Sequence, residues 1–247
     1  MPGRLVLCLA LAGAAFPSLA AADVIFTDGT FDLSSYTNPF TIQSGPMSDV
    51  ISQCSACGDP GQALSAVFTL TTSSSATSDL DIGLLNTGFI YTPSSEGAIQ
   101  SVDASVSDST SAILGISSYD VFVPLIEQDG NFFETTILGG PGDTGFLNLS
   151  ATLTASDFVQ IDTTTGTVIP GSHPDFTGDA MQFGIVATDG SIALPSFTQT
   201  IVYDNLSFDL VPSPEPGSVV LCAAALIGLI GFAGITRSQR FKHGVTA

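Results

Sequence analysis

Apolar and polar residues alternate along several segments of the chain. Leu64, Ala66, Phe68 and Leu70 are interleaved with Ser65, Val67, Thr69 and Thr71. Val102, Ala104 and Val106 are interleaved with Ser101, Asp103, Ser105 and Ser107, and Leu147, Leu149, Ala151 and Leu153 with Asn148, Ser150, Thr152 and Thr154. Period two is the signature of strands with one buried face. Val121–Gln128 and Phe132–Leu138 flank Asp129-Gly130, which predicts a hairpin with a type I′-like turn. Val24–Phe26, Met181–Thr188 and Thr198–Leu210 add further strands. No long stretch of this region has helical periodicity, and Ser156-Asp157-Phe158 supports at most one helical turn. Short strands joined by Gly, Pro, Asn and Asp turns predict an all-β fold, an antiparallel two-sheet β-sandwich.

Two segments break the alternation by being uniformly apolar. Leu5–Phe16 follows Arg4, is too short to span a bilayer, and leads through Pro17 to the small residues Ala20-Ala21-Ala22; this predicts a secretory signal peptide over 1–22. Val219–Ile235 has no charged residue. As a helix it would be roughly 25 Å long at 1.5 Å per residue, enough to cross a membrane. Arg237, Arg240 and Lys242 follow it, and basic flanks stay cytoplasmic. The chain is thus expected to comprise the signal peptide, an extracellular sandwich over 23–210, a Pro-rich linker over 211–218, a transmembrane helix over 219–236 and a basic cytoplasmic tail over 237–247.

Charge sharpens this picture. The chain has 4 Lys plus Arg against 23 Asp plus Glu, a formal net charge of −19. Between Leu5 and Thr236 there is no Lys or Arg. Such a surface repels phosphate, which excludes nucleic acid as a partner. Its carboxylates must be relieved by solvent, hydrogen bonds or cations, and outside the cell Ca²⁺ is a natural counterion.

Cys54 and Cys57 form a CxxC pair, the other two cysteines lying in the flanking apolar segments. Zinc would need further soft ligands, and His173 is the one histidine of the domain; an exported chain instead predicts a local disulfide. Asp79-Leu80-Asp81-Ile82-Gly83 has the look of a calcium loop, but Ile90 stands where an EF-hand needs Glu, so the stretch is read as an acidic turn. Gly139–Gly145 lacks the Lys of a phosphate loop and is read as a plain loop. His173 has no identifiable triad partners, and no motif selects a catalytic pair among Glu96, Glu127, Glu134 and the aspartates.

Three parts in order, Pro214-Glu215-Pro216, the apolar segment and the basic end, resemble the PEP-CTERM sorting signal of Gram-negative bacteria. The resemblance implies export, processing by signal peptidase, transient anchoring in the inner membrane by the C-terminal helix, recognition by an exosortase and cleavage near the triplet, with release to the cell surface. A permanent single-pass anchor is the plainer alternative. Asp28-Gly29-Thr30-Phe31-Asp32, Gly58-Asp59-Pro60-Gly61, Tyr91–Ile99, Pro174-Asp175-Phe176-Thr177 and Tyr203-Asp204-Asn205 resemble, in their joint order, an uncharacterised exported bacterial domain that carries such tails. The first and last of these stretches also look like the terminal strands of jelly-roll carbohydrate-binding modules, although the Trp that those modules display is absent. That likeness implies a calcium ion shared by Asp32 and Asp204, with Asp28 as a third ligand; solvated turn aspartates that cap loops through their own backbone are the alternative. The resulting expectation is a non-catalytic cell-surface or matrix protein associated with exopolysaccharide or biofilm. A carbohydrate-binding module is the alternative, and a glycoside hydrolase-like enzyme the third.

Overall fold

The computed structural model describes residues 23–71, 77–111, 119–141, 145–192 and 196–213. The expected signal peptide, sorting triplet, apolar segment 219–236 and basic residues Arg237, Arg240 and Lys242 lie outside them. Among the described residues no helix is long and apolar enough to cross a membrane.

The strands in chain order are β1 (Val24–Asp28), β2 (Tyr36–Thr37), β3 (Thr41–Ser44), β4 (Met47–Gly58), β5 (Gly61–Leu70) and β6 (Thr77–Tyr91). They continue as β7 (Ile99–Thr110), β8 (Tyr119–Phe122), β9 (Pro124–Gln128), β10 (Asn131–Glu134) and β11 (Ile137–Pro141). The last are β12 (Leu147–Leu153), β13 (Val159–Ile161), β14 (Val168–Ile169), β15 (Met181–Ile192) and β16 (Phe197–Pro212). They form an antiparallel two-sheet sandwich, as the alternation predicts. One sheet runs β12-β7-β16-β5-β4, with β1 also on β16. The other runs β14-β13-β10-β9-β15-β6-β2, with β3 also on β6. β8 and β11 form a separate pair. The unit ends at Pro212, two residues beyond the expected boundary, because Pro212 still pairs with Ile99.

The core lies between the two sheets. Leu64, Ala66, Phe68, Leu70, Val102, Ala104 and Val106 are all buried in it, the faces that period two selects. Phe208 of β16 lies at its centre, with ring centroids 5.4 Å from Phe183 and 6.4 Å from both Phe89 and Phe122. A second, smaller cluster sits on the outer face of the β15-β6 sheet: Phe40, Ile42, Leu85, Leu125 and Val186 among others. The segment around β2 and β3 folds back over that face and lays Phe40 on Gly83, where a Cβ would stand only 2.5 Å from the ring. β6 is therefore covered on both sides.

Two expectations are corrected. Asp79-Leu80-Asp81-Ile82-Gly83 is strand, not an acidic turn; Leu80 and Ile82 enter the core while Asp79 and Asp81 take the other face. Gly139 and Gly140, expected in a loop, belong to β11. The hairpin at Asp129-Gly130 is present, with φ of 54° and 76°, the positive pair of a type I′ turn. Its arms are shorter than the apolar runs suggest, because the run Val121–Gln128 is divided between β8 and β9 at Pro124, which has no N–H to give to a ladder. The helical turn falls at Ala155–Asp157, and Asp157 accepts from the Thr154 N–H and hydroxyl, both at 2.7 Å. Cys54 and Cys57 are disulfide-bonded, at a register shift between β4 and β5.

Candidate binding cleft

β9 pairs with β15 only from Met181 to Ile185, which lies opposite Pro124. One more bond, from the Val186 N–H to the Val123 carbonyl at 2.9 Å, closes that ladder. Beyond it the upstream strand β8 turns away and pairs with β11. The distal half of β15 keeps β6 as its ladder partner and loses the other neighbour. The slot so formed is a cleft of about 420 Å³ that reaches both faces of β15.

Register explains its walls. Thr188 pairs with Asp81 and Gly190 with Asp79, so both aspartates stand on the outer face, where the Thr188 hydroxyl donates to Asp81 Oδ1. Glu134, the last residue of β10, joins them. Asp189 pairs with Leu80 and so lies on the inner face. There it meets Gln199 of β16, whose amide, with Nε2 turned to Asp189, donates to both carboxylate oxygens at 3.0 and 3.1 Å. Thr110 at the end of β7 also lines the cleft, is 3% exposed, and its Oγ1 has no hydrogen-bond partner. Tyr119 and Leu138, on the β8-β11 pair at the mouth, are 58% and 75% exposed.

Burial raises all four carboxyls, and a neighbouring charge adds to it at three of them. Burial pushes Glu134 up to about 7, with the charges of Asp81 and Asp79 adding to it. Burial also pushes Asp189 up to about 7, Asp79 adding to the effect. Asp81 is raised by burial and then by Asp79, and Asp79 by burial. No Lys or Arg lies anywhere in the described span to offset them. Desolvated like charges without a counter-charge are an unfavourable arrangement in a free domain and mark candidate functional sites.

The residues expected to hold calcium do other work. Asp28 Oδ1 accepts from the N–H groups of Thr30 (2.9 Å) and Phe31 (2.7 Å), and its Oδ2 from the Tyr36 hydroxyl (3.0 Å). Asp32 caps the turn Leu33–Ser35 through the Ser34 N–H at 3.0 Å, and the Ser34 hydroxyl together with that N–H holds its carboxyl below the ordinary range. Asp204 is buried at a β-bulge and accepts from the N–H groups of Asp59 (2.5 Å) and Asn205 (2.8 Å). Asp28 pairs with Leu206, so the two chain ends do meet beside Asp204. Yet among the described residues no group of three or more His, Cys, Asp or Glu side chains is arranged to hold a metal ion. Backbone and hydroxyl donors thus bond to all three carboxylates. His173 lies in a loop with Nδ1 2.6 Å from the Phe158 carbonyl. The sequence reading missed the cleft, although Pro124 inside an apolar run was the available signal.

No family model matches the chain, and no curated protein matches it. Solved structures similar to it include the family 11 carbohydrate-binding module of the cellulosomal cellulase Lic26A-Cel5E of Clostridium thermocellum, at 10% identity over 79% of this chain and 97% of that chain, TM-score 0.42. The family 11 module from Clostridium thermocellum in complex with a β-1,3-1,4-mixed-linked tetrasaccharide is similar at 11% identity over 79% and 100%, TM-score 0.43. The CBM22-1 xylan-binding domain from Paenibacillus barcinonensis Xyn10C is similar at 12% identity over 79% and 100%, TM-score 0.35. At these scores the likeness is a coarse one of sheet architecture and identifies neither a family nor a ligand for this chain.

Proposed function

We propose that this is an exported, non-catalytic surface or matrix protein whose sandwich binds a saccharide chain in the cleft between β8 and β15. The observation that carries the reading is the composition of the cleft wall. Carboxylates, the Gln199 amide and the unpartnered Thr110 hydroxyl stand beside the exposed faces of Tyr119 and Leu138. A sugar presents hydroxyl donors at its rim and apolar C–H groups on its face. Carboxylate oxygens accept strongly from the former, and aromatic or aliphatic surface packs against the latter. Cleavage would additionally require an acid and an ionised partner at a defined separation, which binding does not.

Export and sorting belong to the same proposal. The signal-peptide pattern over 1–22, Pro214-Glu215-Pro216, the apolar segment 219–236 and Arg237, Arg240 and Lys242 support passage across the inner membrane, temporary anchoring and exosortase processing. Surface delivery would place the cleft among exopolysaccharides. The test is a glycan array probed with the protein recovered from the cell surface, with reducing-end release measured on every glycan that binds. Retention of an oligosaccharide, lost when Tyr119 is changed to Ala, is the expected outcome. No retention removes the binding reading, and hydrolysis replaces it with an enzyme.

A further inference from the structure

We propose that the ligand of the cleft is a cationic glycan, an amino-sugar chain with unacetylated amines, and that a sugar ammonium sits among Asp79, Asp81 and Glu134 on the outer face. The inference rests on the saccharide-binding reading and specifies its chemistry.

The argument starts from the charge balance of the wall. Four carboxyls drawn from β6, β10 and β15 line one cleft, and no Lys, Arg or His lines it. A hydroxyl can hydrogen-bond to these groups but leaves their mutual repulsion in place. A metal ion would remove the repulsion, yet no three of the described carboxylates are arranged to bind one. An ammonium group supplies both a positive charge and N–H donors, and tolerates irregular spacing of its acceptors because its contacts are not held to a fixed coordination geometry. The independent observation is Thr110. The residue is 3% exposed, lies on the facing sheet of the same cleft, and has an unpartnered hydroxyl, which suits a polar ligand group better than an apolar one. The resistance of Glu134 and Asp189 to ionisation agrees, since a bound cation would offset the neighbouring charges that help to raise both. The domain carries no Lys or Arg to repel such a polymer, so its overall field also favours approach of a polycation.

The test is calorimetric titration of the surface-recovered protein with the β-1,4-linked tetramer of glucosamine, its fully N-acetylated counterpart, cellotetraose, monomeric glucosamine and 1,4-diaminobutane at pH 7. The glucosamine tetramer should bind at least ~10-fold more tightly than either neutral tetramer, with the difference shrinking as salt rises. Glu134→Gln and Asp79→Asn should each remove most of that preference; both relieve repulsion and keep the side-chain shape, and circular dichroism verifies that they fold. Equal binding of the neutral tetramers overturns the ammonium inference while leaving the saccharide reading standing. Binding of 1,4-diaminobutane as tightly as the tetramer overturns the glycan part. An absence of binding by all five overturns both.

Discussion

Asp108 and Asp120 each hold the other's strand. The Val121 N–H of β8 donates to Asp108 Oδ2 at 3.0 Å, and the Thr110 N–H of β7 donates to Asp120 Oδ1 at 3.1 Å. This reciprocal clasp ties β8 to the end of β7 at the place where β8 has left β15, and so fixes one wall of the cleft. Burial, reinforced by the charge of Asp120, pushes Asp108 up to about 8, so it is largely protonated at neutral pH.

Asp108→Asn should therefore be tolerated, since an amide oxygen can accept from Val121 as a protonated carboxyl does. Asp108→Ala should cost about 1–3 kcal/mol by leaving a part-buried donor unmet. Thermal melts of the two variants at pH 7 check the difference, and equal destabilisation would mean that the clasp is not what secures β8.

Stability should depend on pH in a direction unusual for carboxylates. Glu134 and Asp189 sit at about 7 and Asp108 at about 8 in the folded protein, all above their ordinary values. A raised carboxyl contributes stability below its unfolded pKa of about 4, and that contribution is lost as pH climbs through the folded value. The melting temperature should thus fall between pH 5 and pH 8.5. At the acid end Asp32, Asp157 and Asp175, held below their ordinary values by N–H and hydroxyl donors, act in the opposite sense. Combining Glu134→Gln with Asp189→Asn should flatten the decline above pH 5; an unchanged slope would remove these two groups as its cause.

Calcium should stabilise the domain no more than sodium does at matched ionic strength. Asp28, Asp32 and Asp204 already accept from the chain's own donors. Asp204→Ala should cost about 1 kcal/mol whether or not Ca²⁺ is present. A calcium-specific rise in melting temperature that disappears in Asp32→Ala or Asp204→Ala would establish the shared-cation site.

The disulfide closes a very short ring within one strand edge, and loop-closure entropy from so small a ring is worth about 2 kcal/mol at most. Cys54→Ser should fold, with a melting temperature a few degrees lower. Thiol labelling of the native protein should find both cysteines blocked until reductant is added.

Deletion of Val219–Ala247, or Glu215→Ala, should change where the protein accumulates. Mass spectrometry of the surface form should find its C-terminus near Pro216. Recovery of the chain with Ala247 intact would favour a permanent anchor.

The inner faces of β5, β7 and β12 were legible because each touches the core on one side and water on the other, which writes period two into the residues. β6 was not, because Phe40 covers its second face and leaves Leu84 and Leu85 both buried. The acids and glycine before them then read as a turn. The cleft was illegible for a different reason. Asp79, Glu134 and Asp189 come from three strands and gather only where the sheet divides, a tertiary event that no local spacing records. Pro124 marked the division, but not which carboxylates would surround it.

β16 lies at the centre of its sheet, between β7 on one side and both β5 and β1 on the other. The last strand to be synthesised is thus the one that joins strands from the beginning and middle of the domain. The sandwich cannot consolidate from its N-terminus onward, because β1, β5 and β7 have no common neighbour until Phe197–Pro212 arrives. Folding should be all-or-none and slow, as non-local strand pairing requires. A chain held by its tail in a translocation pore would remain unfolded and threadable until that final strand emerged.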